Sequence, residues 1–371
     1  MSFSKSFSTM ASLLLIIGCT GGHFSVPNVA SSSGNQSLGS VGGSTPTPTP
    51  SVSPTATPLP GASVTPTPTM TPTPTPKASP VNQNIVLGVN GHDGRQYYPL
   101  TQSENLFKLL DSKNLRSYRV DADPRNFTLL DEMVRLQKKY NVNVRPMVYP
   151  LTKADGYTLA KKYGADIKIW EIGNEQDYSK TGAQDRINAM VTMYQGMKQA
   201  SDELGLNLKF TINVMACNSD DTSATARCPN DKNGAMWFLD MAKASGFNFD
   251  YISFHYYAYL SDKGYWYDMY FGQMRAMATK YKTKIFYNEV NCADIYQGNT
   301  DGGKAGDKAC YDSMKQLLTE VNANHKDIIQ EINMYELLDE PNNDGVEAHF
   351  GLMYDLTKPK ELFNLITSFA K

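Results

Sequence analysis

The sequence predicts a single (β/α)8 barrel preceded by a disordered linker, and three observations carry that reading. Short β-rich runs alternate with longer amphipathic runs across residues 82–371, the layout of one closed barrel rather than of two small domains. The first β-rich run continues into GVNGHDG (88–94), which lacks the G-x-G-x-x-G spacing that opens a doubly wound nucleotide fold. Upstream, residues 44–80 repeat Pro and Thr almost without interruption. Proline at alternate positions removes backbone donors and favours extended polyproline II, so this tract serves as a spacer and cannot bury a core.

Residues 1–18 read as a signal peptide, with Lys5 ahead of the apolar run ASLLLII at 11–17. That run is too short to span a bilayer, which takes ~20 residues. Ile16-Ile17-Gly18-Cys19 resembles the bacterial lipobox, which implies a lipid anchor at Cys19 and an exported protein, held at the cell envelope or secreted. Residues 19–81 form the Ser/Gly and Pro/Thr linker. The predicted strands are 85–91, 115–121, 143–149, 167–175, 208–215, 250–257, 284–290 and 331–338. Helical periodicity falls between them at 103–113, 129–140, 187–204 and 312–326, and a last helix at 359–370 closes the chain.

Composition narrows the function. The formal charge is −2 and no basic stripe is present, so nucleic acid is not an expected partner. No CxxC or HExxH pattern occurs and the five histidines are scattered, so neither a metal nor another cofactor is expected. Apart from Cys19, four cysteines bracket two polar stretches, which predicts the disulfides Cys217–Cys228 and Cys292–Cys310 in an exported, monomeric domain.

Barrel enzymes place their chemistry at the C-terminal ends of the strands. By that rule strand 2 offers Arg119, Asp121 and Asp123, strand 4 Asn174 and Glu175, strand 6 His255, Tyr256 and Tyr257, strand 7 Asn288 and Glu289, and strand 8 Glu336. Strands 4 and 7 face each other across the mouth, so Glu175 and Glu289 form the best-opposed carboxylate pair. Such a pair is what glycosidic bond cleavage needs, one group to donate a proton and one to attack or to activate water. Glu171 shares the strand parity of Glu175 but lies deeper, where it needs a partner such as Arg119. The aromatic run after strand 6 supplies Trp266 and Tyr259 as candidate walls of a sugar-binding cleft.

WEIGNEQD (170–177), IFYNEV (285–290), SFHYYAY (253–259) and SYRVD (117–121) together resemble the strand motifs of clan A glycoside hydrolases. The ending EAHFGLMYDLTKPKELF (347–363) resembles that of family 39-like members. The resemblance implies a retaining glycosidase acting on an extracellular poly- or oligosaccharide. Glu175 would be the general acid/base and Glu289 the nucleophile, held by Arg119 and Tyr257. Asn174 would bind the sugar hydroxyl beside the anomeric carbon, and His255 would contact sugar or position Glu175. Many clan members carry a strand-8 tryptophan beneath the sugar, whereas MYELLDEPN (334–342) offers Tyr335 as the platform. The alternative is a non-catalytic carbohydrate-binding surface lipoprotein on the same barrel. The presence of both glutamates with their Arg, Asn and Tyr argues against it.

Overall fold

The computed structural model describes residues 85–217, 234–257, 265–292, 304–342 and 348–370. Eight parallel strands, β1 (Val86–Gly91), β2 (Ser117–Ala122), β3 (Asn143–Val148), β4 (Ile169–Ile172), β5 (Lys209–Met215), β6 (Tyr251–Tyr257), β7 (Lys284–Asn291) and β8 (Ile329–Met334), close into a barrel in sequence order. The ring is sealed by β1 pairing with β8 from Val86↔Glu331 to Val89↔Met334. The helices are α1 (Ser103–Ser112), α2 (Phe127–Lys139), α3 (Lys153–Tyr163), α4 (Ala183–Glu203), α5 (Met236–Ala244), α6 (Tyr265–Tyr281), α7 (Lys304–Glu320) and α8 (Glu361–Phe369). A hairpin of β9 (Met353–Asp355) and β10 (Lys358–Pro359) precedes α8. The (β/α)8 expectation is therefore met.

Local chemistry sets the helix starts. Asn126 caps α2 by accepting from Thr128 N at 3.2 Å. Thr152 and Asp155 form a reciprocal capping box on α3, satisfying amides that the first turn leaves without partners. Gly196 lets α4 lie directly on α3, since a Cβ there would meet Lys153 O at 1.9 Å. The apolar core lies outside the strand ring, where Trp170, Phe210, Phe238, Phe254 and Tyr287 are all buried between sheet and helices. Trp237 on α5 is half-buried. No helix among the described residues is long and apolar enough to cross a membrane.

Cys292 and Cys310 form a disulfide that ties the end of β7 to α7. The other expected bridge involves Cys228, which lies outside the described residues. Lys360 is buried and forms ion pairs with Asp339 at 2.8 Å and Asp307 at 3.2 Å. It fastens the C-terminal segment beneath the loop that follows β8.

Candidate active site

Side-chain alternation along a strand decides what fills the lumen. In many barrels branched apolar residues fill it. Here polar inward side chains form a continuous hydrogen-bonded column. At the bottom, Glu331 accepts from Ser117 Oγ at 2.6 Å and from Arg145 Nη2 at 3.0 Å. Asn333 Nδ2 donates to Glu331 at 3.0 Å and to Asn288 Oδ1 at 2.9 Å. Asn288 Nδ2 in turn donates to Glu171 Oε2 at 2.8 Å. Above it, Arg119 donates to Glu171 Oε1 at 2.6 Å, to Asn90 Oδ1 at 3.1 Å, to Asn174 Oδ1 at 2.9 Å and to Glu289 Oε1 at 2.7 Å. Apart from Asn333 Oδ1, which is buried with no hydrogen-bond partner among the described residues, the named links are made, and a buried polar network connected in this way fixes geometry.

Glu289 reaches the site because β7 carries a bulge. Its register against β6 shifts between Ser253 and His255, and against β8 between Tyr287 and Val290. Asn288 and Glu289 are consecutive, yet both send their side chains to the lumen: Asn288 to Glu171, Glu289 to Arg119. A bulge re-aims a side chain in this way. Tyr257 OH donates to the second oxygen of Glu289 at 2.7 Å. Burial pushes the Glu289 carboxyl above its ordinary range and Glu175 adds to this, while His255, Arg119 and Tyr257 oppose it.

Glu175 arrives differently. β4 ends at Ile172, and Gly173 (φ 84°) and Glu175 (φ 49°) both adopt left-handed backbone. For glutamate that conformation costs about 1–2 kcal/mol. Asn213 Oδ1 holds it by accepting from Glu175 N at 2.6 Å. The turn carries the Glu175 side chain back over the mouth to His255. The Nδ1 of His255 lies 3.0 Å from Glu175 Oε1 and 3.2 Å from Glu289 Oε2. Burial lowers the pKa of His255, which favours the neutral ring, and the tautomer with its proton on Nδ1 is the one that serves both acceptors. One oxygen of each glutamate and a His255 nitrogen all lie within 4.8 Å of one another.

The Asn174 carbonyl oxygen is taken by Arg119, which fixes the amide and leaves its NH2 as the donor available to a ligand. Glu171 is the deeper carboxylate, paired with Arg119 as its parity requires. Burial pushes Glu171 up, but Arg119 and His255 outweigh it and hold the group below its ordinary range.

A second charged group lies at the ends of β1, β2 and the loop after β8. The Nδ1 of His92 faces Asp121 at 3.5 Å, and its Nε2 faces Glu336 at 3.4 Å and Tyr335 OH at 3.2 Å. Tyr98 OH donates to Glu336 at 2.8 Å, and Arg95 donates to Asp121 at 2.8 Å. Burial drives Glu336 up to about 8. Burial opposes protonation of His92, yet Asp121 and Glu336 raise it to about 9. His92, Glu336 and Glu340 also bring potential cation-ligand atoms within 4.8 Å of one another.

Of the residues singled out from sequence, Glu175, Glu289, Asn174, Arg119, His255 and Tyr257 converge on one point. Tyr335 stands beside them but does not offer an open face. It is 8 % exposed and packs edge-on against His92, Tyr257 and Phe350. The side chains of Trp266, at the start of α6, and of Tyr259 lie outside the described residues. Asp121 is among the strand-end candidates of the sequence, whereas His92 and Arg95 are not. The signal available was parity, since His92 is the next inward position after Asn90.

No protein-family profile and no curated protein matches the sequence. Solved structures do share the fold. An endo-beta-1,4-mannanase from Thermotoga petrophila is 11 % identical with a TM-score of 0.50, the match covering 78 % of this chain and 77 % of that one. A beta-glucosidase from Thermotoga maritima in complex with glucoimidazole is 10 % identical with a TM-score of 0.53, over 73 % and 87 % of the two chains. A GH10 xylanase from Bispora sp. MEY-1 with xylobiose is 11 % identical with a TM-score of 0.52, over 76 % and 96 %. At these identities the likeness establishes the barrel fold.

Proposed function

We propose that this protein is a retaining glycoside hydrolase of the clan A type, acting on an extracellular poly- or oligosaccharide. One observation carries the reading: an oxygen of Glu175 and an oxygen of Glu289 lie within 4.8 Å, with His255 between them. Retaining enzymes hold their carboxyls about 5–5.5 Å apart, and inverting enzymes need about 6.5–9.5 Å to admit a water. The glycosidases among the structures of similar fold support the same class of activity.

In this mechanism Glu289 attacks the anomeric carbon and forms a glycosyl-enzyme. Both of its oxygens already accept hydrogen bonds, from Arg119 and Tyr257, so a proton on Glu289 would displace one of them. Glu175 protonates the leaving oxygen, then takes the proton of the water that resolves the intermediate. Neutral His255 donates toward both carboxyls and keeps Glu175 aimed at the bond. Asn174 presents its NH2 to the hydroxyl beside the anomeric carbon, a contact that strengthens as positive charge develops there. Substrate selection by family 39-like kinship, export, and a lipid anchor at Cys19 with a Pro/Thr spacer belong to the same proposal. They suit an enzyme working on bulky material outside the cell.

The test is turnover of a panel of 2,4-dinitrophenyl glycosides by wild type, Glu289→Ala and Glu175→Ala. Wild-type turnover is expected with at least one sugar, and none with Glu289→Ala. Glu175→Ala should keep partial turnover, because this leaving group needs no proton, and azide should raise it. A wild-type protein that binds saccharides and cleaves none would favour the non-catalytic alternative.

A further inference from the structure

Strand alternation puts one aromatic residue on the rim of this mouth that the mechanism does not use. On β3, Arg145 and Met147 point to the lumen, aligned with Arg119 and Asp121 on β2 and, for Met147, with Glu171 on β4. Tyr149 is the next inward position, one step above Met147, and the chain is held there by Gly173 N donating to Val148 O at 2.8 Å. Tyr149 therefore stands beside the strand ends that supply Arg119, Asp121, Asn174 and Glu175. It is 44 % exposed, whereas Tyr335 across the mouth is 8 % exposed and wedged among three rings.

We propose that Tyr149 is the aromatic platform on which the site holds a neutral pyranose ring, a role that Tyr335 is packed too tightly to fill. The proposal rests on the glycosidase reading of the site. Aromatic faces pair with the apolar face of a sugar ring, and Tyr149, unlike Tyr335, is open to solvent. Burial, then the Asp121 carboxylate, pushes its phenol up to about 12. Asp121 stands opposite Met147 on the neighbouring strand, one inward step below Tyr149, and is bonded to Arg95 at 2.8 Å. Together they offer an acceptor and a donor for adjacent sugar hydroxyls.

Charge decides the sugar class. Arg95 is already paired with Asp121, and Arg119 with Glu171 and Glu289. Both arginines are thus committed to carboxylates, His92 is buried between Asp121 and Glu336, and Glu289 would repel a uronate carboxylate. A neutral pyranose meets none of these costs.

The experiment measures calorimetric binding of xylotriose, cellotriose, mannotriose and trigalacturonate to the full-length chain carrying Glu175→Ala, which keeps the Glu289 charge and lacks the acid that these leaving groups need. The same protein is then examined with Tyr149→Ala or Tyr149→Phe added. Tyr149→Ala should weaken at least one neutral trisaccharide by about tenfold. Tyr149→Phe should stay within about twofold, because stacking needs the ring and not its hydroxyl. Trigalacturonate should not bind. An exposed position tolerates both changes, and matching melting curves check this. Equal affinity of Tyr149→Ala for every saccharide, binding of trigalacturonate alone, or no neutral trisaccharide bound would each overturn the platform. KM and kcat on the dinitrophenyl glycosides, measured with Glu175 intact, separate the two ideas. Binding that depends on Tyr149 without turnover by wild type sinks the catalytic reading and leaves the platform. Turnover with binding indifferent to Tyr149 does the reverse.

Discussion

Replacing Arg119 with methionine keeps most of the volume and removes one guanidinium from the centre of the site. That group is buried and donates to Glu171, Glu289, Asn90 and Asn174. Its loss leaves two buried carboxylates without their cation. Breaking a buried pair from one side costs about 3–5 kcal/mol, or roughly 6–20 °C in melting temperature for a domain of this size. Catalysis changes in a separate way. Arg119 opposes the upward push that burial exerts on Glu289. Without it the Glu289 pKa rises further, and the acid limb of kcat/KM, which requires ionised Glu289, moves to higher pH. Adding Glu171→Met to Arg119→Met removes one of the stranded charges. The double variant should regain part of the stability while its activity stays low, since Glu289 still lacks its donor. Urea denaturation and pH–rate profiles on a dinitrophenyl glycoside measure both effects. A single variant that loses less than ~1 kcal/mol and keeps the wild-type acid limb would refute the claim that Arg119 balances these carboxylates.

Stability should fall as pH rises from about 5 to 9. Glu336 and His92, with native pKa values of about 8 and about 9, hold protons that the unfolded chain has already released above its ordinary values of about 4.3 and 6.5. Thermal melts of Glu336→Gln should show a shallower decline, and a slope equal to wild type would remove Glu336 from the account. Cys292→Ser should cost on the order of 2–4 kcal/mol through loss of the bridge to Cys310, read from denaturation midpoints under non-reducing conditions. An unchanged midpoint would count against it. Cys19→Ser should release the chain from the membrane fraction with activity intact, and equal release of wild type would end the lipid-anchor proposal.

The barrel was legible because its signal is repetitive. Each predicted strand falls within a few residues of an observed one, and the strand-end rule located the acid/base candidate and its opposing glutamate. The misreadings sit where backbone departs from regular geometry. The run 167–175 was read as one strand, but β4 stops at Ile172 and the left-handed Gly173 and Glu175 turn the chain. Nothing in WEIGNE distinguishes that turn from continued extension. Period-two alternation cannot send both Asn288 and Glu289 inward, and only the bulge in β7 does so. The run 331–338 was placed late: β8 spans Ile329–Met334, so Tyr335 and Glu336 fall beyond it. Tyr335 is consequently packed edge-on instead of lying open as a platform. The lumen column from Arg145 to Glu289 was invisible for another reason. Ser117, Glu331, Asn333 and Asn288 are unremarkable singly, and become a network only when closure of β1 on β8 brings them together.

The most direct measurement of the central claim is the anomeric configuration of the first product. Wild-type protein and a substrate found active in the glycoside panel are followed by proton NMR from the first turnover, before mutarotation. Carboxyls held about 5–5.5 Å apart, the retaining arrangement proposed for Glu175 and Glu289, leave no room for a water between sugar and Glu289. The account therefore predicts that the first-formed hemiacetal keeps the configuration of the substrate. A first product of inverted configuration would contradict it, and would mean that Glu289 acts as a base on water and never bonds to the sugar.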